Sequence, residues 1–152
     1  MTTYQTSDFN SPAPADPRNG LITRFVKHTV GTAVTTSDKL KVAKLPKGAQ
    51  ILPALTSVFA DADPDSANNL TLALKITDGT TTKTIIAASA FQAIDTRISP
   101  SAADITGLGF FKTGNDDYYA YLEPAVGDLD AAAVIFVELT YTMDASKDAS
   151  TS

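Results

Sequence analysis

Residues Lys39–Leu55 read KLKVAKLPKGAQILPAL. Leu40, Val42 and Ala43 lead up to Leu45-Pro46-Lys47-Gly48-Ala49, and Gln50, Ile51, Leu52 and Leu55 lead away from it. Pro46 presets φ near about −65° for the first corner of a turn. Gly48 takes the φ > 0 that such a turn needs without the penalty a Cβ imposes. The stretch predicts strand, tight turn, strand, a hairpin-like unit whose second strand extends toward Phe59.

Outward from this unit the pattern is again that of strands. In Leu70–Thr77, LTLALKIT, the residues Leu70, Leu72, Leu74 and Ile76 fall on one face, and Thr71, Ala73, Lys75 and Thr77 on the other. Strict period two marks a half-buried antiparallel strand. Burying each of the four apolar side chains contributes roughly 1.5–3 kcal/mol before entropy is charged. Asp78-Gly79 is a turn signal, and Thr80–Ala88 reads as the returning strand, with Ile85 and Ile86 its apolar part. Ala131–Met143 alternates Ile135, Val137, Leu139, Tyr141 and Met143 against Phe136, Glu138, Thr140 and Thr142. Leu21–Val30 sets Ile22, Arg24, Val26, His28 and Val30 against Leu21, Thr23, Phe25, Lys27 and Thr29. Neither of its faces is wholly apolar, which suits an edge strand or a subunit contact.

Ala87–Ile94 and Pro100–Ile105 are expected to form short helical turns, the second capped by Ser99. Leu108–Lys112 and Tyr118–Leu122 read as a hairpin across the turn Gly114-Asn115-Asp116-Asp117, closed by Glu123-Pro124. Seven or eight short strands so spaced predict an all-β chain: an antiparallel β-sandwich, jelly-roll-like, with an extended N-terminal arm and short helical turns in loops. The 152 residues divide into an arm (1–20), a sandwich domain (21–144) and a flexible, small and polar tail (145–152). Residues 1–20 carry Pro12, Pro14, Pro17 and Gly20, a composition that supports neither a packed helix nor a central strand. Such a segment is either a frayed terminus or an arm that orders on a partner, and Tyr4 and Phe9 favour the arm.

Composition excludes several chemistries. The chain has no cysteine, which removes disulfides, thiolate nucleophiles and cysteine-based zinc sites. Its formal charge is −5, with 12 scattered Lys and Arg, so nucleic-acid binding is disfavoured. The first residues lack a basic stretch followed by an apolar run, so no signal peptide is expected. No apolar run approaches the ~20 residues of a membrane-spanning helix. His28 is the only histidine and lacks the partners of a triad or metal site. Asp61-Ala62-Asp63-Pro64-Asp65-Ser66 begins like a calcium loop, but Ser66 stands where glycine is required and Leu72 where the bidentate glutamate belongs. Gly107-Leu108-Gly109 lacks the strand before it and the helix after it that a dinucleotide loop needs. Glu123 and Glu138 are the only glutamates, and Asp116-Asp117 sits in a turn. No catalytic set emerges; neither enzyme activity nor a cofactor is expected.

Leu45-Pro46-Lys47-Gly48-Ala49-Gln50-Ile51 resembles a Pro-Lys-Gly-Ala segment of small virion proteins of tailed bacteriophages. In those proteins, too, a loop and an alternating leucine strand follow, as Leu70–Ile76 does here. They commonly finish on a strand similar to Val137-Glu138-Leu139-Thr140-Tyr141 with a following Asp, here Asp144. Gln50 departs from the basic residue usual at its position. The resemblance covers residues 38–144 and implies a capsid decoration (cement) protein. Such a protein trimerises and sits on the outer capsid surface at capsomer junctions, holding the shell against internal pressure, and is made in the host cytoplasm. The partners it implies are the major capsid protein and further copies of the chain, with no nucleic acid and no membrane. Capsid or protomer contacts are expected at Tyr4, Phe9, Arg18, Arg24, Lys47, Tyr118 and Tyr121. An alternative reading is a carbohydrate-binding or host-adhesion β-sandwich of a phage tail or fibre, with Tyr118, Tyr119 and Tyr121 beside Asp116 and Asp117 as a sugar platform.

Overall fold

The computed structural model describes residues 1–11, 20–114 and 117–143. Ten strands form two packed sheets: β1 (Thr3–Gln5), β2 (Leu21–Thr29), β3 (Lys39–Leu45), β4 (Ala49–Ile51), β5 (Ser57–Ala60), β6 (Thr71–Thr77), β7 (Thr82–Ala90), β8 (Arg97–Ile98), β9 (Tyr118–Val126) and β10 (Val134–Met143). The first sheet runs β1-β3-β9-β6-β7 and the second β2-β10-β5-β8, with β4 also on β10. Every pairing is antiparallel except that of β1 with β3. The expected all-β sandwich is therefore the observed fold, with β1 and β8 as short additions and with β4 and β5 standing where a single second strand was expected.

The alternating strands build the core. Leu72, Leu74 and Ile76 of β6, with Leu70 before it, meet Ile135, Val137, Leu139 and Tyr141 of β10, all with no measurable exposure beyond 1%. Both strands lie inside their sheets, so their inward faces are closed over from both sides. The β6–β7 hairpin turns at Asp78-Gly79, where the Asp78 carboxylate accepts from the N–H groups of Thr80 and Thr81 at 2.8 and 2.6 Å. β2 is an edge strand, as its mixed faces predict, and it buries Ile22, Arg24 and Val26, with Val30 buried just after it.

The stretch around Gly48 departs from its local reading. β3 and β4 flank the turn, but β3 belongs to the first sheet and β4 pairs with β10 of the second. The turn is a corner between layers and not a hairpin. Gly48 has φ +77°. Thr113 pins the corner: its N–H donates to Ala49 O at 2.8 Å, its hydroxyl donates to Pro46 O at 2.7 Å, and Gly48 N–H donates to Thr113 O at 3.0 Å. A 3-10 turn (Pro53–Leu55) then separates β4 from β5, so the second strand does not run unbroken to Phe59.

Three local expectations are corrected. Ala87–Ala90 continue β7 instead of turning helical, because Ser89 and Ala90 pair with Leu72 and Thr71. The helix α1 (Ala102–Leu108) is capped by Ser101 and not Ser99: Ser101 Oγ accepts from Asp104 N–H, and the Asp104 carboxylate accepts from Ser101 N–H at 2.9 Å. The hairpin of 108–112 with 118–122 does not form. Leu108 ends the helix, residues 111–113 hydrogen-bond to the β4 region, and β9 runs through Pro124 to Val126 with a register shift opposite Thr71 and Leu72. A proline lacks the donor a regular ladder requires, and a register irregularity accommodates it.

The polar N-terminal segment contributes an edge strand. Thr6 N–H donates to Lys41 O, its hydroxyl donates to Val42 O at 3.0 Å, and Phe9 is buried. Composition barred a central strand here, and β1 is not one. The expected tail at 145–152 lies outside the described residues.

Candidate docking faces

Two outward sheet faces carry side chains that the core does not use. On the second sheet, Phe25 of β2, Phe136 of β10 and Phe59 of β5 form a row, with ring centroids 5.0 Å apart for the first pair and 6.2 Å for the second. Phe25 is 54% exposed and the other two are half-buried. Lys27 Nζ lies 5.2 Å from the Phe136 centroid and the Arg97 guanidinium 5.4 Å from that of Phe59. Arg97 also donates to Ser57 Oγ at 2.7 Å and pairs with Glu138 at 3.5 Å. Leu21 extends the row on the same face of β2. An exposed aromatic row on a rigid sheet, rimmed by charge, is the composition of a protein contact.

The outward face of the first sheet is basic and aromatic. Lys39 Nζ lies 4.7 Å from the Tyr121 centroid, Lys41 Nζ 4.5 Å from that of Tyr119, and Lys44 Nζ 5.3 Å from that of Phe9. Phe9 meets Tyr119 edge to face at 6.0 Å, so the N-terminal segment closes one side of this face. A cleft of about 370 Å³ opens between Phe9, Lys44, Leu45, Pro46, Asp117, Tyr118 and Tyr119. Glu123 is engaged by Lys75 at 3.0 Å. Burial, with the Glu123 charge behind it, pushes the Tyr121 hydroxyl above its usual pKa.

The residues expected at contacts divide accordingly. Lys47 is on the surface, 4.0 Å from the exposed Asp117 carboxylate, and Tyr4 is half-buried against the core. Phe9, Arg24, Tyr118 and Tyr121 are at most 7% exposed, so the protomer itself encloses them. Arg24 faces inward and donates to the main-chain oxygens of Asp8, Ser11 and Lys44 at 2.7, 3.2 and 3.3 Å. With Tyr118 and Tyr121 enclosed, the three tyrosines make no exposed platform for a sugar. Arg18 and Asp116 lie outside the described residues. Sequence reasoning passed over Phe25, Phe59, Phe136 and the lysines of β3. The available signal was an aromatic on the polar face of an alternating strand, as Phe136 is between Lys27 and Phe59 in register.

The remaining polar features serve the fold. Asp65 is buried and accepts from the N–H groups of Ala67, Asn69 and Leu70 at 3.0, 2.5 and 2.5 Å, while Asp130 accepts from Ser66. The segment that begins like a calcium loop is thus a turn tied by its own carboxylates. Among the described residues, no group of three or more His, Asp or Glu is placed to hold a metal, and no buried side-chain nitrogen or oxygen lacks a partner. His28 is half-buried beside Tyr4, Gln5 and Leu40; burial lowers its pKa below 6.5, against the opposing pull of Asp8.

No protein-family model and no curated protein matches the chain. Among solved structures the fold is similar to a chain of the capsid of Ralstonia phage GP4, with TM-score 0.69 and 17% identity over 93% of this chain and 98% of that one. It is also similar to a chain of the Cyanophage Pam1 capsid asymmetric unit, with TM-score 0.56 and 18% identity over 91% and 96% of the two chains. At these identities the likeness is one of fold.

Proposed function

We propose that this chain is a structural virion protein that decorates and stabilises the outer surface of a bacteriophage capsid, binding as a trimer at capsomer junctions. The observation that carries the reading is the end-to-end fold match with chains of two phage capsids, which spans nearly the whole of both partners. Matched chains of nearly equal length mean that the whole of a small capsid chain, and not one module of a large one, shares this two-sheet fold.

The aromatic row of the second sheet supports contacts between copies. Permanent homomeric interfaces are more apolar than transient ones, and Phe25, Phe59, Phe136 and Leu21 are the side chains such a contact would cover. Linking three protomers turns later shell contacts into intramolecular ones, so modest single-site affinity becomes tight attachment. A trimer also covers open sheet edges such as β2. Binding of this kind requires no reaction, and enclosed tyrosines argue against the glycan-binding alternative. On this reading residues 1–20 remain an arm whose first part lies on its own protomer.

Two measurements test the proposal. Light scattering at micromolar concentration is expected to give about three times the 15.9 kDa protomer mass, and the protein is expected to co-sediment with expanded heads lacking it. A stable monomer that ignores heads would remove the reading.

A further inference from the structure

We propose that the basic face of β3 and the cleft beside Phe9 receive a carboxylate-bearing loop of the shell-forming protein, an inference that rests on the decoration reading above. The 12 Lys and Arg read as scattered along the chain, but four of them, Lys39, Lys41, Lys44 and Lys47, fall within nine positions of a protein with net charge −5. Among the described residues, Lys39, Lys41 and Lys44 form no ion pair; their ammonium groups rest on the rings of Tyr121, Tyr119 and Phe9. A ring occupies one side of an ammonium group and leaves N–H donors for an anion on the other. The aromatic bed also holds the long side chains extended, which reduces the entropy lost when a partner docks.

The spacing suits a protein carboxylate. Lys39 and Lys41 are two residues apart on one strand face, about 6.6 Å, the repeat at which alternate residues of an extended segment present their side chains. Lys44 stands at the rim of the cleft, whose floor of Leu45, Pro46 and the tyrosine rings takes an apolar neighbour of the acid. Among the described residues, the carboxylates on this face include Asp117, which lines the cleft 4.0 Å from Lys47, and Glu123, held by Lys75 beside Tyr121. Their presence favours discrete acids over a continuous phosphate backbone, which would meet both of them. The division of labour is physical: the apolar row suits permanent contact between copies, and the charged face suits a partner met after folding, where complementary charge speeds and orients docking.

The test is co-sedimentation of the full chain with heads stripped of it, using wild type, Lys44→Gln and Lys44→Glu. Lys44 is exposed, so both variants are expected to keep the wild-type melting curve and trimer mass. Lys44→Glu is expected to bind heads at least about tenfold more weakly, with Lys44→Gln between it and wild type. Wild-type affinity in Lys44→Glu, with wild type itself bound, overturns the assignment of this face and leaves the decoration reading standing. Failure of wild type to bind heads overturns both. Binding of a 30-base-pair DNA duplex by wild type as tightly as heads, lost in Lys44→Glu, also overturns it in favour of a nucleic-acid site.

Discussion

Nη2 of Arg24, on the inward face of β2, donates to the main-chain oxygen of Asp8 at 2.7 Å. The same guanidinium reaches Ser11 and Lys44, so one buried cation ties the N-terminal segment to both sheets. Arg24→Met keeps the bulk and removes these donors. A bond to a charged group contributes about 1.5–3 kcal/mol, and the carbonyls of the exposed Asp8, Ser11 and Lys44 regain water once it is gone, so a loss equal to about one such bond, about 2–3 kcal/mol, is expected. Amide exchange should accelerate between residues 6 and 11 more than in β6. Unchanged protection of those amides would show that the tie is not structural.

Removing residues 1–11 is expected to weaken the sandwich without abolishing it. The main apolar cluster contains none of these residues, although Tyr4 packs against it. The deletion strips the edge of β3 and uncovers Tyr119. A cooperative melt at lower temperature, with increased tyrosine accessibility to solvent, is the expected result. A chain that no longer melts cooperatively would place the segment in the core.

Asp65→Ala leaves the N–H groups of Ala67, Asn69 and Leu70 without their acceptor, in a turn whose ends, Asp65 and Leu70, are buried. An orphaned buried donor costs about 1–3 kcal/mol, and water entering the emptied site recovers part of it, so a net loss of about 3 kcal/mol is expected by denaturant titration. Adding calcium to the wild type is expected to leave the midpoint unchanged, since the carboxylate is already engaged.

Phe25→Ser tests the aromatic row. Because Phe25 is 54% exposed, its loss should change protomer stability by less than about 1 kcal/mol. Self-association should weaken at least about tenfold, read as a concentration-dependent fall in mass by light scattering. An unaltered trimer would move the contact between copies to another face.

Stability should depend on pH in two steps. Burial holds the folded pKa of His28 below 6.5. Between the folded and unfolded values the unfolded chain binds more protons, so stability falls as pH drops below about 6.5. His28→Gln should flatten that first decline. Asp38 and Asp78 are shifted the other way: hydrogen bonds from Thr2 and Thr35, and from Thr81 and Thr80, lower both below 3.8. Their stabilisation is present above that value and is lost as pH falls through the lowered ones, a second step that His28→Gln should not touch.

Much of the fold was legible locally. The alternation in Leu70–Ile76 and Ile135–Tyr141 reports which side chains turn inward, because a strand's two faces are set by its own backbone. The same logic placed β2 at an edge. Ala87–Ala90 failed because alanine favours a helix in isolation, and only pairing with Thr71 and Leu72 overrides it. The burial of Tyr121 within its own protomer was also hidden from local reading. The side chain points outward as its alternation with Ala120 and Leu122 implies, but lysines from the neighbouring strand enclose it, and that neighbour is some eighty residues away in the chain.

By itself the sequence determined an all-β chain, its principal strands, a turn at Gly48 and the face that Leu70–Ile76 and Ile135–Tyr141 bury, since these follow from side-chain period and backbone freedom within a few residues. Only the tertiary structure decided that Lys39–Leu55 is divided between two sheets, that Thr113 locks the corner, and that Phe25, Phe136 and Phe59 line up while Phe9 closes over Tyr119. Those outcomes depend on hydrogen bonds and packing between segments far apart in the chain, whose partners no local pattern names.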